Sequence, residues 1–362
     1  MKKIGIVSIF RTGNYGGTLQ AYALLKSINE NSYGNAEIIN YTCDSINGKL
    51  SFKKIVKLGF FHTAAFLIDK ICYLPRMKKI NSFIDSYVTM PLLNKKELSR
   101  LNNNYDIFLS GSDQLWNPDI QDNDGYYLLD FVLDNEKKRS YASSFGKYEL
   151  PDLYTDKYKR LLSAYKIITV REKSGADIVE RLIGKRPLIV PDPVFLISRE
   201  DWKLLIKKRI YEEKYIFAYR LTYSTKITKA VERAVKELNI SSKSSPFLLG
   251  HCHNNEMLPA LSSFEWLQLI HDSEYVITDS FHAVLFSIIF SKQFYYIVTT
   301  STAKDRLSRV ETILDELEIH GRIVDSEKDC DFSKNINYHD VAPKVIELRR
   351  YGLEILKKIL EL

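Results

Sequence analysis

A histidine stands just after an apolar segment that ends in an acid and a serine. Residues Tyr275–Thr278 predict a buried strand, Asp279 and Ser280 follow it, and His282 lies at the start of an apolar helix. Asp and Ser are preferred helix N-caps because their side-chain oxygens accept hydrogen bonds from the free amides of the first turn. Those amides and the helix dipole also favour a bound anion. A histidine beside a phosphate or carboxylate can act as an acid or a base near neutral pH, whereas a histidine that only caps the helix is the structural alternative.

A glycine-containing segment connects the first predicted strand, Ile4–Phe10, to the first predicted helix, Thr18–Asn29. Glycines let the backbone turn sharply and approach a ligand, and the helix start supplies amides. The segment is not G-x-G-x-x-G, and no lysine follows as a phosphate loop requires. It predicts a ligand-binding loop of unspecified type, with a plain tight turn as the alternative.

Polar residues surround a tryptophan after the predicted strand Ile107–Ser110. In a sugar site, an aromatic face takes the apolar side of a pyranose, and amides and carboxylates bind its hydroxyls. The same residue types also build ordinary helix caps, which is the structural alternative. The polar segment contains Ser112, Asp113, Gln114, Trp116 and Asn117.

Three basic residues follow predicted strands of the second half. Arg220 ends the strand Tyr215–Tyr219, and Lys304 and Arg309 come after the strand Phe294–Val298. Side chains at the ends of parallel strands meet at one edge of the sheet, so these cations can collect an anion near the histidine. Solvated surface charges are the alternative.

The composition is that of a globular protein. The chain has 362 residues, of which 45% are hydrophobic and 27% charged, with a net charge of +7. This length predicts two domains, and the moderate charge suits an anionic ligand or membrane surface without indicating nucleic acid. Four scattered cysteines without a C-x-x-C pair favour a reducing compartment and predict no metal site. No apolar run is long enough to span a bilayer, so we expect a cytoplasmic protein.

The elements that carry these residues alternate between strand and helix, which predicts an α/β fold with mostly parallel sheets. Two prolines flank Asp192, and such a pair continues neither a central strand nor a helix. We therefore predict two Rossmann-like domains facing a cleft, with the ligand at the carboxyl ends of the strands. The predicted domains cover residues 1–195 and 196–340, and a C-terminal helix at 341–362 packs back on the first.

The segment Lys49–Lys79 holds eight basic residues and one acid, Asp69, interleaved with apolar and aromatic side chains. Basic amphipathic helices of this kind bind anionic membrane surfaces. An ordinary helical excursion packed on the first domain is the alternative.

Taken in order, these segments resemble the polysaccharide pyruvyl transferase family over about Ile4–Leu317. Each motif is weak by itself, but the ordered set is specific. The resemblance rests on residues 13–22, 111–117, 143–146, 171–175, 191–193, 278–282 and 308–310.

The resemblance implies a two-domain, glycosyltransferase-like (GT-B) fold. It also implies transfer of an enolpyruvyl or a ketal pyruvyl group from phosphoenolpyruvate to a sugar of a cell-surface polysaccharide, with release of phosphate. The second half is expected to hold phosphoenolpyruvate and the first half the acceptor. His282 matches the expected catalytic histidine of the family, which we expect Asp279 to assist, and Arg220 matches a strand-end arginine of the donor site. We expect acceptor binding by the polar segment 112–117, apart from Leu115, and by Asn14, Tyr15, Gly16, Gly17 and Gln20.

The chain departs from the family at one position. Several members have Arg-Leu-His where this chain has Ser280, Phe281 and His282, so an arginine that would hold the donor is absent. Arg309, Lys304 or Arg171 can replace it, and the sequence leaves the choice open. The reaction requires no metal and no cofactor besides phosphoenolpyruvate as co-substrate. We expect the acceptor to be lipid-linked, with Lys49–Lys79 on the inner face of the membrane.

Two other functions suit the same fold, because fold does not determine chemistry. A glycosyltransferase that uses a nucleotide sugar needs a ribose and base pocket in the second half, and no acidic ribose ligand follows Tyr215–Tyr219. A non-catalytic sugar-binding subunit would keep the segment around Trp116 and tolerate the loss of His282.

Overall fold

The computed structural model describes residues 1–41, 74–120, 125–206, 209–222, 224–246, 256–258, 260–299 and 307–362. The first half forms a parallel sheet of β1 (Lys3–Val7), β2 (Asn35–Ile38), β3 (Ile107–Ser110) and β4 (Lys138–Ser140). Their order is β2-β1-β3-β4. Isolated bridges join this sheet to a parallel pair, β5 (Thr169–Val170) and β6 (Leu188–Ile189). Its helices are α1 (Tyr15–Glu30), α2 (74–85), α3 (Thr155–Ser163) and α4 (Lys173–Ile183).

The second half forms a six-stranded parallel sheet, preceded by the short helix α5 (Arg199–Lys203). Its strands are β7 (Tyr215–Arg220), β8 (Ser241–Pro246), β9 (Glu256–Met257), β10 (Tyr275–Thr278), β11 (Gln293–Ile297) and β12 (Ile323–Val324). They are arranged β12-β11-β10-β7-β8-β9. Its helices are α6 (Thr225–Leu238), α7 (Ser263–Asp272), α8 (Phe281–Ile289) and α9 (Leu307–Glu316).

Local sequence explains the main elements. Every residue of β3 and β10 is buried, as expected for parallel strands covered by helices on both faces. Helices begin at polar caps: Asn14 Oδ1 accepts from Gly16 N at 3.0 Å at the start of α1. Ser262 and Glu265 form a reciprocal capping box at the start of α7.

The two sheets meet across a shared hydrophobic core that includes Ile4 from β1 and Trp266 from α7. Tyr15 of α1 lies in this contact: its ring stacks on Trp266 at 5.6 Å between centroids, and its hydroxyl donates to Leu261 O at 3.1 Å. Arg76 of α2 donates to the same hydroxyl at 2.7 Å. The start of α1 is therefore fixed against the second half.

The last helix, α10 (Tyr338–Glu361), contacts the first half. Tyr351 donates to Ile189 O at 3.3 Å, and Lys2 Nζ donates to Leu360 O at 2.9 Å. A Cβ on Gly352 would lie 2.7 Å from Pro191 Cγ, so glycine permits the close approach of helix and chain. The domain boundaries at 195 and 340 stay predictions.

The structure corrects the prediction at the first helix. α1 begins at Tyr15 rather than Thr18, so Gly16 and Gly17 lie in its first turn and not in a loop. The left-handed conformation belongs to Gly13, at φ 68°. Among the described helices, none has the length and apolar character to cross a membrane. Most of the predicted basic segment, residues 49–73, lies outside the described residues.

Candidate active site

The site lies where the carboxyl ends of the first sheet meet the start of α8. Ser280 caps this helix by accepting from Ala283 N at 3.4 Å, and Thr278 Oγ1 accepts from Ser280 N at 3.0 Å. These contacts place His282 in the first turn, where it is only 3% exposed. The sequence therefore predicted the element and the position of the histidine correctly.

Asp192 of the first half faces this histidine. His282 Nε2 lies 3.6 Å from Asp192 Oδ2, which is ion-pair distance but longer than a hydrogen bond. The same carboxylate oxygen accepts from Arg171 Nη1 at 2.5 Å and from Ser112 Oγ at 3.1 Å. Its other oxygen accepts from Val194 N at 3.1 Å. Three donors thus fix the carboxylate, and the imidazole approaches it from the opposite half.

Burial and charge act in opposite directions on this carboxyl group. Burial alone raises the pKa of Asp192, but the Arg171 guanidinium and the His282 imidazole lower it more strongly. The net effect holds the pKa of Asp192 well below its usual range, so the group stays ionised at neutral pH.

Gly16 of α1 lies directly against the histidine. A Cβ built on Gly16 would lie 2.3 Å from both Cβ and Cγ of His282 and 2.4 Å from Nδ1. No side chain fits at that distance. The next residue, Gly17, faces Asp113, whose Oδ2 would lie 3.2 Å from an added Cβ. The two glycines bring the backbone of α1 close to functional side chains of both halves.

Two buried arginines lie at the ring of Phe281. The guanidinium carbon of Arg171 is 4.6 Å from the ring centroid, and that of Arg309 is 5.0 Å from it. Burial, followed by repulsion from Arg171, lowers the pKa of Arg309 to about 10. Arg309 Nε is buried and has no hydrogen-bond partner among the described residues. A buried cation of this kind is suited to an anionic ligand.

Residues of the polar segment after β3 approach the same arginines. Asp113 Oδ1 lies 3.7 Å from Arg171 Nη2, and Asp113 has a left-handed backbone at φ 77°. When its amide oxygen is turned towards Arg309, Gln114 accepts from Nη1 and Nη2 at 3.2 and 3.1 Å. Asn117 Nδ2 lies 2.8 Å from the Gln114 amide.

A small cavity of about 110 Å³ lies beside these charges. Arg171, Asp192, Phe281 and Arg309 line it, together with apolar residues and with the polar side chains of Lys173, Thr312 and Glu316. Its wall therefore combines convergent charged groups with apolar surface, as small-molecule sites do.

The carboxyl end of the second sheet carries other predicted residues. Arg220 is buried at the end of β7 and donates to Thr228 Oγ1 at 2.8 Å. On the neighbouring strand, Asp279 accepts from Leu221 N at 2.7 Å, from Thr222 N at 3.0 Å and from Thr222 Oγ1 at 2.5 Å. Asp279 therefore fixes the turn after β7.

The predicted assistance of His282 by Asp279 stays a prediction, and no described hydrogen bond joins the two residues. The hydrogen bonds of Asp279 go to Leu221 and Thr222, whereas the acid at ion-pair distance from His282 is Asp192. The sequence marked Asp192 only as part of a boundary between prolines and of a family motif. Its pairing depends on a residue far along the chain, which no local pattern reveals.

Three predicted acceptor residues belong to the core. Trp116 is fully buried and packs edge-on against Phe145, so the interpretation as an exposed sugar platform is wrong. Tyr15 is equally buried between the two halves. Gln20 is buried as well, and its amide donates to Ser8 Oγ at 2.9 Å. Asn14 acts as the cap of α1.

Sequence reasoning also missed Phe281 and Glu172. The ring of Phe281 contacts both arginines. Glu172 is fully buried, and its Oε1 accepts from Phe145 N at 3.0 Å. The sequence signal that could have pointed to Glu172 was its position directly after Arg171. Lys304 lies outside the described residues.

Comparison with solved structures identifies the architecture. The chain is similar to MnaA of S. aureus in a structure with UDP, with a TM-score of 0.52, 11% identity and coverage of 99% of this chain and 91% of that chain. It is also similar to UDP-N-acetylglucosamine 2-epimerase from Rickettsia bellii, with a TM-score of 0.52, 10% identity and coverage of 100% and 96%. A third similar structure is a putative UDP-N-acetylglucosamine 2-epimerase from Listeria monocytogenes, with a TM-score of 0.53, 9% identity and coverage of 98% of this chain and 90% of that chain. At such low identity these matches show the fold alone, and they confirm the two Rossmann-like domains of a GT-B-like α/β fold.

The family follows from the sequence. A family model described as polysaccharide pyruvyl transferase matches residues 14–301, which is most of the chain. The chain therefore belongs to the polysaccharide pyruvyl transferase family, as its motifs predicted. A comparison with curated proteins gave no match.

Proposed function

We propose that this protein transfers pyruvate from phosphoenolpyruvate to a sugar of a cell-surface polysaccharide precursor and releases phosphate. The observation that carries the proposal is that His282 and the buried Arg171 approach the same carboxylate, Asp192, while both buried arginines lie at the ring of the neighbouring Phe281. Phosphoenolpyruvate brings a carboxylate and a phosphate, and both need fixed cations. Arg309 and Arg171 supply buried positive charge next to the first turn of α8.

The reaction needs a group that exchanges protons beside the donor. Protonation of the methylene carbon of phosphoenolpyruvate creates an oxocarbenium-like centre at C2. A sugar hydroxyl attacks C2 and gives up its proton. Loss of phosphate and attack by a second hydroxyl then close a cyclic ketal, and the second proton leaves with the phosphate. His282 is the acid or base in this sequence, because imidazole changes its protonation near neutral pH.

Two further predicted donor residues lie at the edge of the second sheet. Arg220 ends β7 and Ser280 comes soon after β10, and these strands pair in parallel with Tyr219 opposite Thr278. In the proposal, Arg220 and Ser280 bind the donor from this side, and Lys304, which lies outside the described residues, is a further donor ligand. Arg309 and Arg171 replace the arginine that this chain lacks at Ser280.

The acceptor side of the proposal uses Asp113 next to Arg171, Gln114 next to Arg309, and Asn117 beside Gln114. Gly17 brings the start of α1 to Asp113 on this side, whereas the ring of His282 fills the space in front of Gly16. The acceptor is lipid-linked in this proposal, with the basic segment Lys49–Lys79 on the membrane. Sedimentation with anionic vesicles tests this contact: binding should fall when Lys53, Lys54, Lys57, Lys78 and Lys79 are neutralised, and unchanged sedimentation would contradict it.

Phosphate release from phosphoenolpyruvate, with and without a panel of lipid-linked and aryl glycosides, tests the reaction. Mass spectrometry should find a sugar product heavier by one pyruvate less water. No use of phosphoenolpyruvate, together with transfer from a nucleotide sugar, would favour the glycosyltransferase instead. Sugar binding without any turnover would favour a non-catalytic subunit.

Replacement of the histidine tests its role. In His282→Ala, transfer should fall about 10²-fold or more because the proton-exchanging group is lost. The matched control is His339→Ala, since the His339 side chain is 94% exposed. Equal turnover in wild type and His282→Ala would rule out His282 as the acid or base.

A further inference from the structure

The orientation of the His282 ring depends on residues of the opposite half. The helix that carries it belongs to the second sheet, yet its ring touches Gly16 of α1 and faces Asp192 after β6. Ser280 fixes the helix start but does not orient the ring. The orientation of the imidazole is therefore a property of both halves together.

Asp192 limits which nitrogen of His282 carries a proton. An ionised carboxylate only accepts hydrogen bonds, and a neutral imidazole has one N–H donor and one acceptor nitrogen. Nε2 is the nitrogen that faces Asp192, at 3.6 Å from Oδ2, and it has no hydrogen-bond partner among the described residues. The negative charge of the carboxylate favours an N–H, rather than a lone pair, on the nitrogen that faces it. Hence the N–H belongs on Nε2, which leaves the lone pair on Nδ1.

Gly16 limits where the ring can lie. Its backbone is helical, so glycine is not required there for a left-handed conformation. The reason for glycine is contact, because a Cβ would overlap Cβ, Cγ and Nδ1 of the histidine. A methyl group at this position would push the imidazole away from its place opposite Asp192.

We propose that Asp192 and Gly16 are positioning residues for His282: Asp192 keeps the proton on Nε2, and Gly16 provides the space that leaves Nδ1 to exchange protons with the substrate. This inference rests on the proposed function of His282 in pyruvyl transfer. Neither residue needs to touch the substrate.

The tautomer of His282 tests the role of Asp192 without any turnover. Nitrogen-15 NMR of histidine-labelled protein distinguishes the two neutral tautomers, and His282→Gln identifies the signal. Wild type should show Nε2–H, and Asp192→Asn should shift the population towards Nδ1–H because an amide lacks the negative charge that favours an N–H on the facing nitrogen. The matched control is Asp272→Asn, since Asp272 also contacts a histidine, His271, at 2.8 Å.

Kinetics give a second readout of the same variants. Loss of orientation should lower kcat about tenfold or more while KM for phosphoenolpyruvate stays within about twofold, because positioning acts on the chemical step. Asp272→Asn should leave both constants at the wild-type level. A wild-type tautomer together with a wild-type kcat in Asp192→Asn would overturn the proposal for Asp192.

Gly16→Ala tests the second residue and does not depend on the fold of the Asp192 variant. It leaves every charge in place, and it should lower kcat about tenfold or more through displacement of the ring. The control is Gly34→Ala, whose Cβ would also lie 2.3 Å from a neighbour, but from the terminal methyl of Ile4, which can rotate away. Equal kcat in the two glycine variants would overturn the proposal for Gly16.

The two readouts separate the proposals. If wild-type protein does not use phosphoenolpyruvate but the tautomer depends on Asp192, the positioning stands and the proposed function fails. If turnover occurs and neither the tautomer nor kcat responds to Asp192→Asn and Gly16→Ala, the positioning fails and the function stands.

Discussion

Asp192 and Asp279 are both buried acids near the carboxyl ends of strands, one in each half, and their surroundings differ. Asp192 contacts the guanidinium of Arg171, whereas Asp279 accepts from two backbone amides and the hydroxyl of Thr222. Burial raises the pKa of Asp192, but the positive charge of Arg171 opposes this effect, and the net pKa is lowered. Burial outweighs the amides and the hydroxyl at Asp279, so that its pKa is raised.

The two acids differ in the groups that stabilise their buried charge. Asp279 holds the turn after β7, and its described hydrogen bonds come from Leu221 and Thr222 and not from a cation. Asp192 pairs with the Arg171 guanidinium and lies 3.6 Å from His282 Nε2, and Asp192 and Arg171 both line the cavity. The first half thus supplies a fixed charged frame, and the second half supplies the histidine.

Removal of the cation should produce the largest effect. Arg171→Met leaves Asp192 buried without its main partner, so the free energy of unfolding should fall by about 3–5 kcal/mol. Arg186→Met is the control, because Arg186 is half-exposed and its two ion pairs, with Asp177 and Glu180, lie on the surface. Its loss should cost about 1 kcal/mol or less. Urea unfolding measures the free energy of unfolding of both variants. Similar losses in the two would contradict the expected difference between the buried Arg171 and the half-exposed Arg186.

A smaller effect is expected at Asp279. Thr222→Val removes one of the three donors to Asp279 and leaves the amides of Leu221 and Thr222 in place. The free energy of unfolding should therefore fall by about 1–2 kcal/mol. Thr225→Val, at an exposed position in the first turn of α6, should change stability by about 0.5 kcal/mol or less. A loss as large as that of Arg171→Met would show that Asp279 depends on charge to the same degree as Asp192.

The smallest effect is a difference in pH dependence. Because the pKa of Asp279 is raised, the folded state binds more protons than the unfolded state between its ordinary and its raised pKa. The stability of wild type relative to Asp279→Asn should therefore fall as pH rises through that window. Asp192 has the opposite sign, so its contribution persists at these pH values and is lost only in more acidic solution. Urea unfolding of both proteins from about pH 4 to about pH 7 measures the difference, and a rising curve would contradict it.

Local patterns predicted the elements around the site well. The predicted strand before His282 is β10, and the strand predicted over Ile107–Ser110 is β3 with the same bounds. Such elements combine apolar runs with capping residues, so local preference and packing agree. β8 was not predicted, because Ser241–Pro246 is rich in serine. Its position between β7 and β9 makes it a strand, so tertiary packing overrides its weak local preference.

The contacts within the site were harder to predict. Trp116 among polar residues suggested a sugar platform, but the ring turns inward to the core. The partner of His282 was assigned to the neighbouring Asp279, whereas the fold brings Asp192 from the other half. Sequence patterns show which residue types are present, but the geometry between distant segments depends on how the sheets pack.

The contact of His282 with Gly16 and Asp192 also bears on how the halves can be recombined. One half of a two-domain protein can be exchanged for that of a relative only if each half is an independent module. Here a graft that brings a new second half would place its histidine against a foreign α1 and a foreign acid. A working chimera would have to carry the glycine, the aspartate and the histidine as one inherited set.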